Sequence, residues 1–482
     1  MRRSSFSFIP FAAVSTALLL ACSSSSDDEH GGSTSSLQGL AGSCAVPVDG
    51  TRSLFVTDAT ALAQFPLASV MGQIAATGNA PAPTALALYQ QMVDTLNDKA
   101  HGTTTGPHCD DVLTNGNASI DGFPIECPRQ EGSLSTTDPF GAGADGYSPV
   151  GIVNRFDLAP KNGSNCGQYR LVYGKNSGKT QFNNRMLLIF EAVLPNPNPA
   201  AGLTACLPVA QFWDNLSNDA DATSRATKLR SFYFTGLSGF SPVIQAAHYG
   251  VGGGTDTGQI RANMFMNFKS GQQWELREFR LSPTCASTTC ALRAINTSVA
   301  TNPFGGLFGG TDPRSQAFQS AFLGQVSSLA ARNVNTIAMS TPAADDAGES
   351  DEQDTSNDYR AQAQSNTPFR AQITSTLVSI NRPDLSVDNI LDRATTQSCA
   401  GCHQLSGNRG SNDLGAGLTW PASNGFTQID ESSRLSPAVQ AFLTFRSTVL
   451  TNFINANCPA TTTSATLDDG RTLGGSPIGA AN

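Results

Sequence analysis

The sequence predicts an α+β protein: a β-rich, disulfide-containing N-terminal domain over residues 41–342, then a mainly α-helical C-terminal domain over 359–460. Three observations predict it. Short β-branched and aromatic runs, punctuated by turn clusters, occupy roughly 150–281. Apolar residues at helical spacing take over from about residue 316. Cysteines are scattered through the first part in the manner of an exported disulfide framework.

The elements follow in order. Arg2 and Arg3 form a basic start, and residues 6–20 are apolar but too short to span a membrane stably. They end in Leu19-Leu20-Ala21-Cys22, which resembles the lipobox of bacterial lipoproteins. That resemblance implies a signal peptide over 1–21, cleavage before Cys22 and lipid on its sulfur. Ser23 in place of Asp is similar to lipoproteins sorted to the outer membrane. A plain secretory signal with a chance cysteine is the alternative. Residues 22–40 are rich in Ser and Gly and read as a tether with a reach of roughly 25 Å.

Within the first domain, 84–99 carries an apolar helical stripe, and 101–147 reads as loops stapled by Cys109 and Cys127. Strands are expected at 151–156, 169–173 and 186–194, the last apolar enough to be buried on both faces. The runs 259–268 and 274–281 fit an antiparallel pair. Glu191 lies in the buried strand and needs an arginine such as Arg155, Arg170 or Arg277, most simply as a structural ion pair. Residues 343–358 hold Asp345, Asp346, Glu349, Asp351, Glu352 and Asp354. They read as an acidic, solvated linker; Ca²⁺ binding is the other reading, without EF-hand spacing. Helices are expected at 316–331, 368–380, 387–397 with Ser386 as N-cap, and 437–455; 461–482 is a flexible tail.

Composition narrows the function. The formal charge is −9, and losing Arg2 and Arg3 with the signal takes it to −11. There is no basic arm or patch, which argues against nucleic acid. A negative surface favours a basic partner protein. No nucleophile elbow, HExxH or phosphate loop is present, so no catalytic residue is assigned.

One motif names a cofactor. Residues 399–403 read Cys399-Ala400-Gly401-Cys402-His403, the attachment sequence of a c-type haem. The two thiols would form thioethers to haem, and His403 would be the proximal iron ligand. With 387–397 leading into the motif and 437–455 as a second helix, the segment resembles a cytochrome c. The resemblance implies one haem c and electron transfer, or redox chemistry on a small, peroxide-type oxidant. It departs from the family in one respect: no Met or His follows His403. A distal ligand must come from upstream, from His101, His108, His248, Met186, Met264, Met266 or Met339, with His248 before a Gly-rich stretch singled out, or the sixth position is open. Met264 and Met266 read as core. Asn408, Arg409 and Asn412 could bond a haem propionate or face solvent, and Trp420 could lie at the porphyrin edge or in ordinary core. A zinc site lacks further ligands, and a thioredoxin-like context is missing.

The sequence therefore predicts a cell-envelope lipoprotein, membrane-held through Cys22 at the outer membrane and serving a redox partner. The competing reading is a non-enzymatic surface-binding or structural lipoprotein in which Cys399 and Cys402 form a structural disulfide. Of the eight remaining cysteines, Cys285 and Cys290 could pair locally, and proximity suggests Cys109–Cys127 and Cys166–Cys206.

Overall fold

The computed structural model describes residues 44–78, 81–250, 257–266, 274–286, 289–351, 356–407, 412–424 and 427–458. The calls on Cys22, the tether, the tail, Asn408, Arg409 and the Gly252-Gly253-Gly254 run lie outside these.

One large antiparallel sheet organises the chain. Its strands are β1 (Phe55–Val56), β2 (Tyr147–Arg155), β3 (Asn165–Lys175), β4 (Met186–Pro195), β5 (Gln259–Met264), β6 (Glu275–Ala286), β7 (Thr289–Thr297) and β8 (Ser350–Asp351). Strands β1 to β7 pair in that order, and β8 pairs with the start of β6. The expected strand pair at 259–281 is present, with Asn263 opposite Leu276.

The pleat sorts side chains cleanly onto two faces. Ile152, Leu171, Phe190, Ile260 and Phe279 lie in one register row. They join the largest apolar core. That face is covered by α1 (Leu67–Thr77), α2 (Ala85–Asp94), α3 (Leu207–Asn218) and α4 (Ala222–Phe234). Trp213 of α3 stacks on Tyr169 of β3 with ring centroids 5.8 Å apart, and Phe232 of α4 meets the same ring edge-on. The opposite face carries the rows Val153–Arg170–Glu191, Val172–Ile189–Arg261 and Leu187–Asn263–Leu276. Both faces of β4 are thus buried, as its apolar run implies.

The C-terminal part is helical: α5 (Pro313–Leu323), α6 (Thr367–Ser379), α7 (Val387–Thr395), α8 (Cys399–Gly407) and α9 (Pro437–Ala456). Ser386 caps α7 in a reciprocal capping box with Asn389. Phe308, Phe318, Phe322 and Phe369 knit α5 and α6 into a second core. This part does not stand apart from the sheet. Leu450 and Ile454 of α9 enter the first core, while Ala400 of α8 and Val439 of α9 share a third core with Phe55, Val172 and Leu187. A Cys44–Cys458 disulfide ties the end of α9 to the start of the described chain. Cys109–Cys127 and Cys166–Cys206 are also bonded, Cys290 is disulfide-bonded, and the backbone of residue 285 lies opposite it in the hairpin register.

The acidic stretch at 343–358 is not a solvated spacer where it is described. Asp345, Asp346, Ser350 and Asp351 are buried. The reason is that its carboxylates have internal partners. Asp346 accepts from the backbone of Thr301 and Asn302 and from the Thr341 hydroxyl. Glu349 accepts from Arg277 at 2.8 Å. Arg277 and Glu275 also pair, and Glu275 reaches Arg129, itself held by Glu126 and Glu131. Carboxylate density in sequence does not reveal which of these groups fold in against internal partners.

Candidate functional site

The Cys-x-x-Cys-His segment forms the first turns of α8, directly after α7. Three contacts fix its start. Ser398 Oγ donates to Thr395 O and accepts from Gly401 N, and Ala400 N donates to Ser350 Oγ of β8. Gly401 is required by close approach: a Cβ there would lie 2.2 Å from the Thr395 carbonyl oxygen. The carbonyl of Cys402 accepts from Trp420 Nε1 at 3.1 Å, and Gln428 Nε2 lies 3.6 Å from the Cys402 sulfur. The thiols of Cys399 and Cys402 are half-buried.

His403 is buried under the sheet. Its ring lies 5.0 Å from that of Trp274, just ahead of β6, with the planes at 53°. Burial pushes its pKa down to about 4, so the imidazole is neutral at physiological pH. Its Nδ1 has no hydrogen-bond partner among the described residues.

Cys399, Cys402 and His403 border one cavity, roofed by the second face of the sheet. Its cavity volume is about 250 Å³, and it is partly open to solvent. Its middle is apolar, lined by Phe55, Val153, Val172, Leu187 and Ile189 from the sheet and by Val439, Phe442 and Phe445 from α9. Trp420 borders it as well and packs on Phe442 at 5.5 Å. Of its two readings, core packing is present, and its place on the cavity wall leaves the porphyrin-edge reading as an expectation.

One region of the wall is strongly charged. Arg155, Arg170, Arg261 and Arg446 line it beside Asp157 and Glu191. Arg155 holds Asp157 in a forked contact at 2.9 Å, and Arg446 approaches the same carboxylate at 3.9 Å. Glu191 meets Arg170 at 3.0 Å, Arg261 at 3.4 Å and the Gln259 amide. Its expected arginine partner is thus Arg170, joined by Arg261. Burial alone would raise both carboxyls; the guanidinia more than offset it and hold both below the usual range. Arg446 is pushed down to about 9 by burial and by the neighbouring Arg155.

The upstream ligand candidates lie elsewhere. His248 Nδ1 is 2.9 Å from Val243 O, and Nε2 is 3.3 Å from Ser241 Oγ. Its turn packs Tyr249 on Phe190, which points away from the cavity face. Met186, Met264 and Met266 are buried in the first core, and Met339 in the second. Asn412 donates to Trp420 O.

Sequence reasoning missed Arg261, Asn263, Trp274 and Arg446. The signal was present in part: Arg170 and Val172, Ile189 and Glu191, and Arg261 and Asn263 alternate at the two-residue period of one strand face. Arg446 is four residues beyond Phe442, on the same helix side. No family model, curated protein or solved structure matches the chain.

Proposed function

We propose that the protein is a cell-envelope lipoprotein carrying one covalent haem c at Cys399 and Cys402, with His403 as proximal ligand, and that it works in electron transfer or in redox chemistry on a small, peroxide-type oxidant. The supporting observation is that both thiols and the imidazole border a single cavity whose wall is apolar sheet and helix apart from one charged region. A staple disulfide needs no such space beside it. The donor set also fits: two thiols for thioether bonds, and an imidazole that burial keeps neutral, the form that binds metal.

When bound, the haem supplies a one-electron couple and an iron site for a small ligand. The chain's own residues do the rest. Trp274, Trp420 and Phe442 exclude water around the motif. The sheet and α9 shield the cavity's apolar middle, where a low dielectric sets how tightly charge is held. The lipid on Cys22 would hold the protein at the outer membrane, and no helix among the described residues is long and apolar enough to cross a membrane. The net negative charge would steer a basic redox partner.

The test is a haem-stained denaturing gel of protein made in a host that matures c-type haem. The wild type should stain and Cys399→Ala/Cys402→Ala should not. An unstained wild-type band rejects the reading.

A further inference from the structure

We propose that Arg155, Arg170, Arg261 and Arg446 form a seat for two carboxylates, the propionates of a haem whose vinyl edge is fixed at Cys399 and Cys402. This rests on the haem reading above and deepens it, because it assigns the orientation of the group and the residues that hold its far edge.

Charge comes first. Six charged residues line the cavity: these four arginines, Asp157 and Glu191. Four guanidinia and two carboxylates therefore share one region of the wall. Glu278, behind the wall, holds Arg261 at 3.0 Å and also faces Arg280 at 3.3 Å. A dianion at that spot would meet several charge-assisted donors at once.

Shape comes second. A porphyrin of this type carries its two vinyl groups on one edge and its two propionates on the opposite edge. The sheet face has the matching polarity. Asn263 and Leu276 lie in the register row nearest Trp274 and His403. Val172 and Ile189 occupy the next row, beside Arg261, and Arg170 and Glu191 the row beyond. Arg155 extends the series along β2, and Arg446 meets it from α9 through Asp157. An apolar disc anchored at the motif thus runs out over apolar side chains toward guanidinia. Arginine suits the task, since its planar fork donates two parallel hydrogen bonds to a carboxylate.

The consequence is electrical. Cations at the propionate edge favour the reduced, more negative iron. The experiment uses full-length protein matured with haem c and reads the midpoint potential by spectroelectrochemical titration. Arg446→Gln should carry covalent haem and titrate at a lower potential than wild type, with Arg446→Lys restoring most of the difference. Arg170→Gln should shift the same way and serves if Arg446→Gln does not accumulate. Arg230→Gln, on α4 where Arg230 stacks over Phe234, should leave the potential unchanged. Haem-loaded Arg446→Gln or Arg170→Gln at the wild-type potential overturns the seat while leaving the haem reading intact. A wild type without haem overturns the haem reading itself, and the seat with it.

Discussion

Trp274 and His403 sit ring against ring, with centroids 5.0 Å apart and planes at 53°. Through this contact the large sheet reaches the helix that bears the motif, so the two parts of the chain build one site. Trp274 is only 1% exposed. Trp274→Ala should therefore cost about 3–5 kcal/mol of stability, in the range of large aromatic deletions. Trp274→Phe should cost less. Urea unfolding of both variants checks this, and a midpoint for Trp274→Ala equal to wild type contradicts it.

Asp346 gives a pH signature. Burial raises its pKa from 3.8 to about 7, only partly offset by the Thr341 hydroxyl and the Thr301 and Asn302 backbone, and Glu278 adds to the rise. The folded protein thus holds this proton more tightly than the unfolded chain. Its contribution is fully present below pH 3.8 and is lost as the pH climbs to about 7. The slope is about 1.4 kcal/mol per pH unit at most. Asp346→Asn lacks this slope, so its stability relative to wild type should improve across that window. A difference that stays flat with pH contradicts the assignment.

The iron's sixth position follows from where His248 sits. Its ring is engaged by Val243 and Ser241, and its turn packs on the sheet face away from the cavity. Haem-loaded protein should therefore be five-coordinate or weakly ligated and should bind added cyanide or imidazole, with a shifted Soret band. His248→Ala should show the wild-type spin state. A low-spin wild type that becomes high-spin on His248→Ala contradicts this and makes His248 the ligand.

Much of the fold was legible, and for physical reasons. The runs expected as strands are strands over 186–194, 259–264 and 275–281. Ser386 and the apolar stripe behind it announce α7. Helices α1, α3 and α4 were not anticipated. Leu67, Val70, Met71 and Ile74 of α1 sit between Pro and Gly punctuation that reads as loop, and α1 carries no charged residue to mark a polar face. The motif itself was legible because its chemistry needs adjacent residues. The cavity wall was not, because Arg170, Glu191, Arg261 and Arg446 are brought together only by sheet register and by the return of α9. The buried Arg129–Glu275–Arg277–Glu349 network was hidden for the same reason.

Lipid anchoring is tested at Cys22. Radiolabelled palmitate should enter the wild type and be absent from Cys22→Ala, which should leave the membrane fraction. Equal membrane retention of that variant contradicts an anchor at this residue.

The central claim is covalent haem at Cys399 and Cys402, and a pyridine haemochrome spectrum tests it most directly. Full-length protein from a host that matures c-type haem is denatured in alkaline pyridine and reduced. The account predicts the α-band of a haem bound through two thioethers, at one haem per chain, that remains with the protein after acid–acetone extraction. A spectrum without haem, or haem that extracts completely, contradicts it.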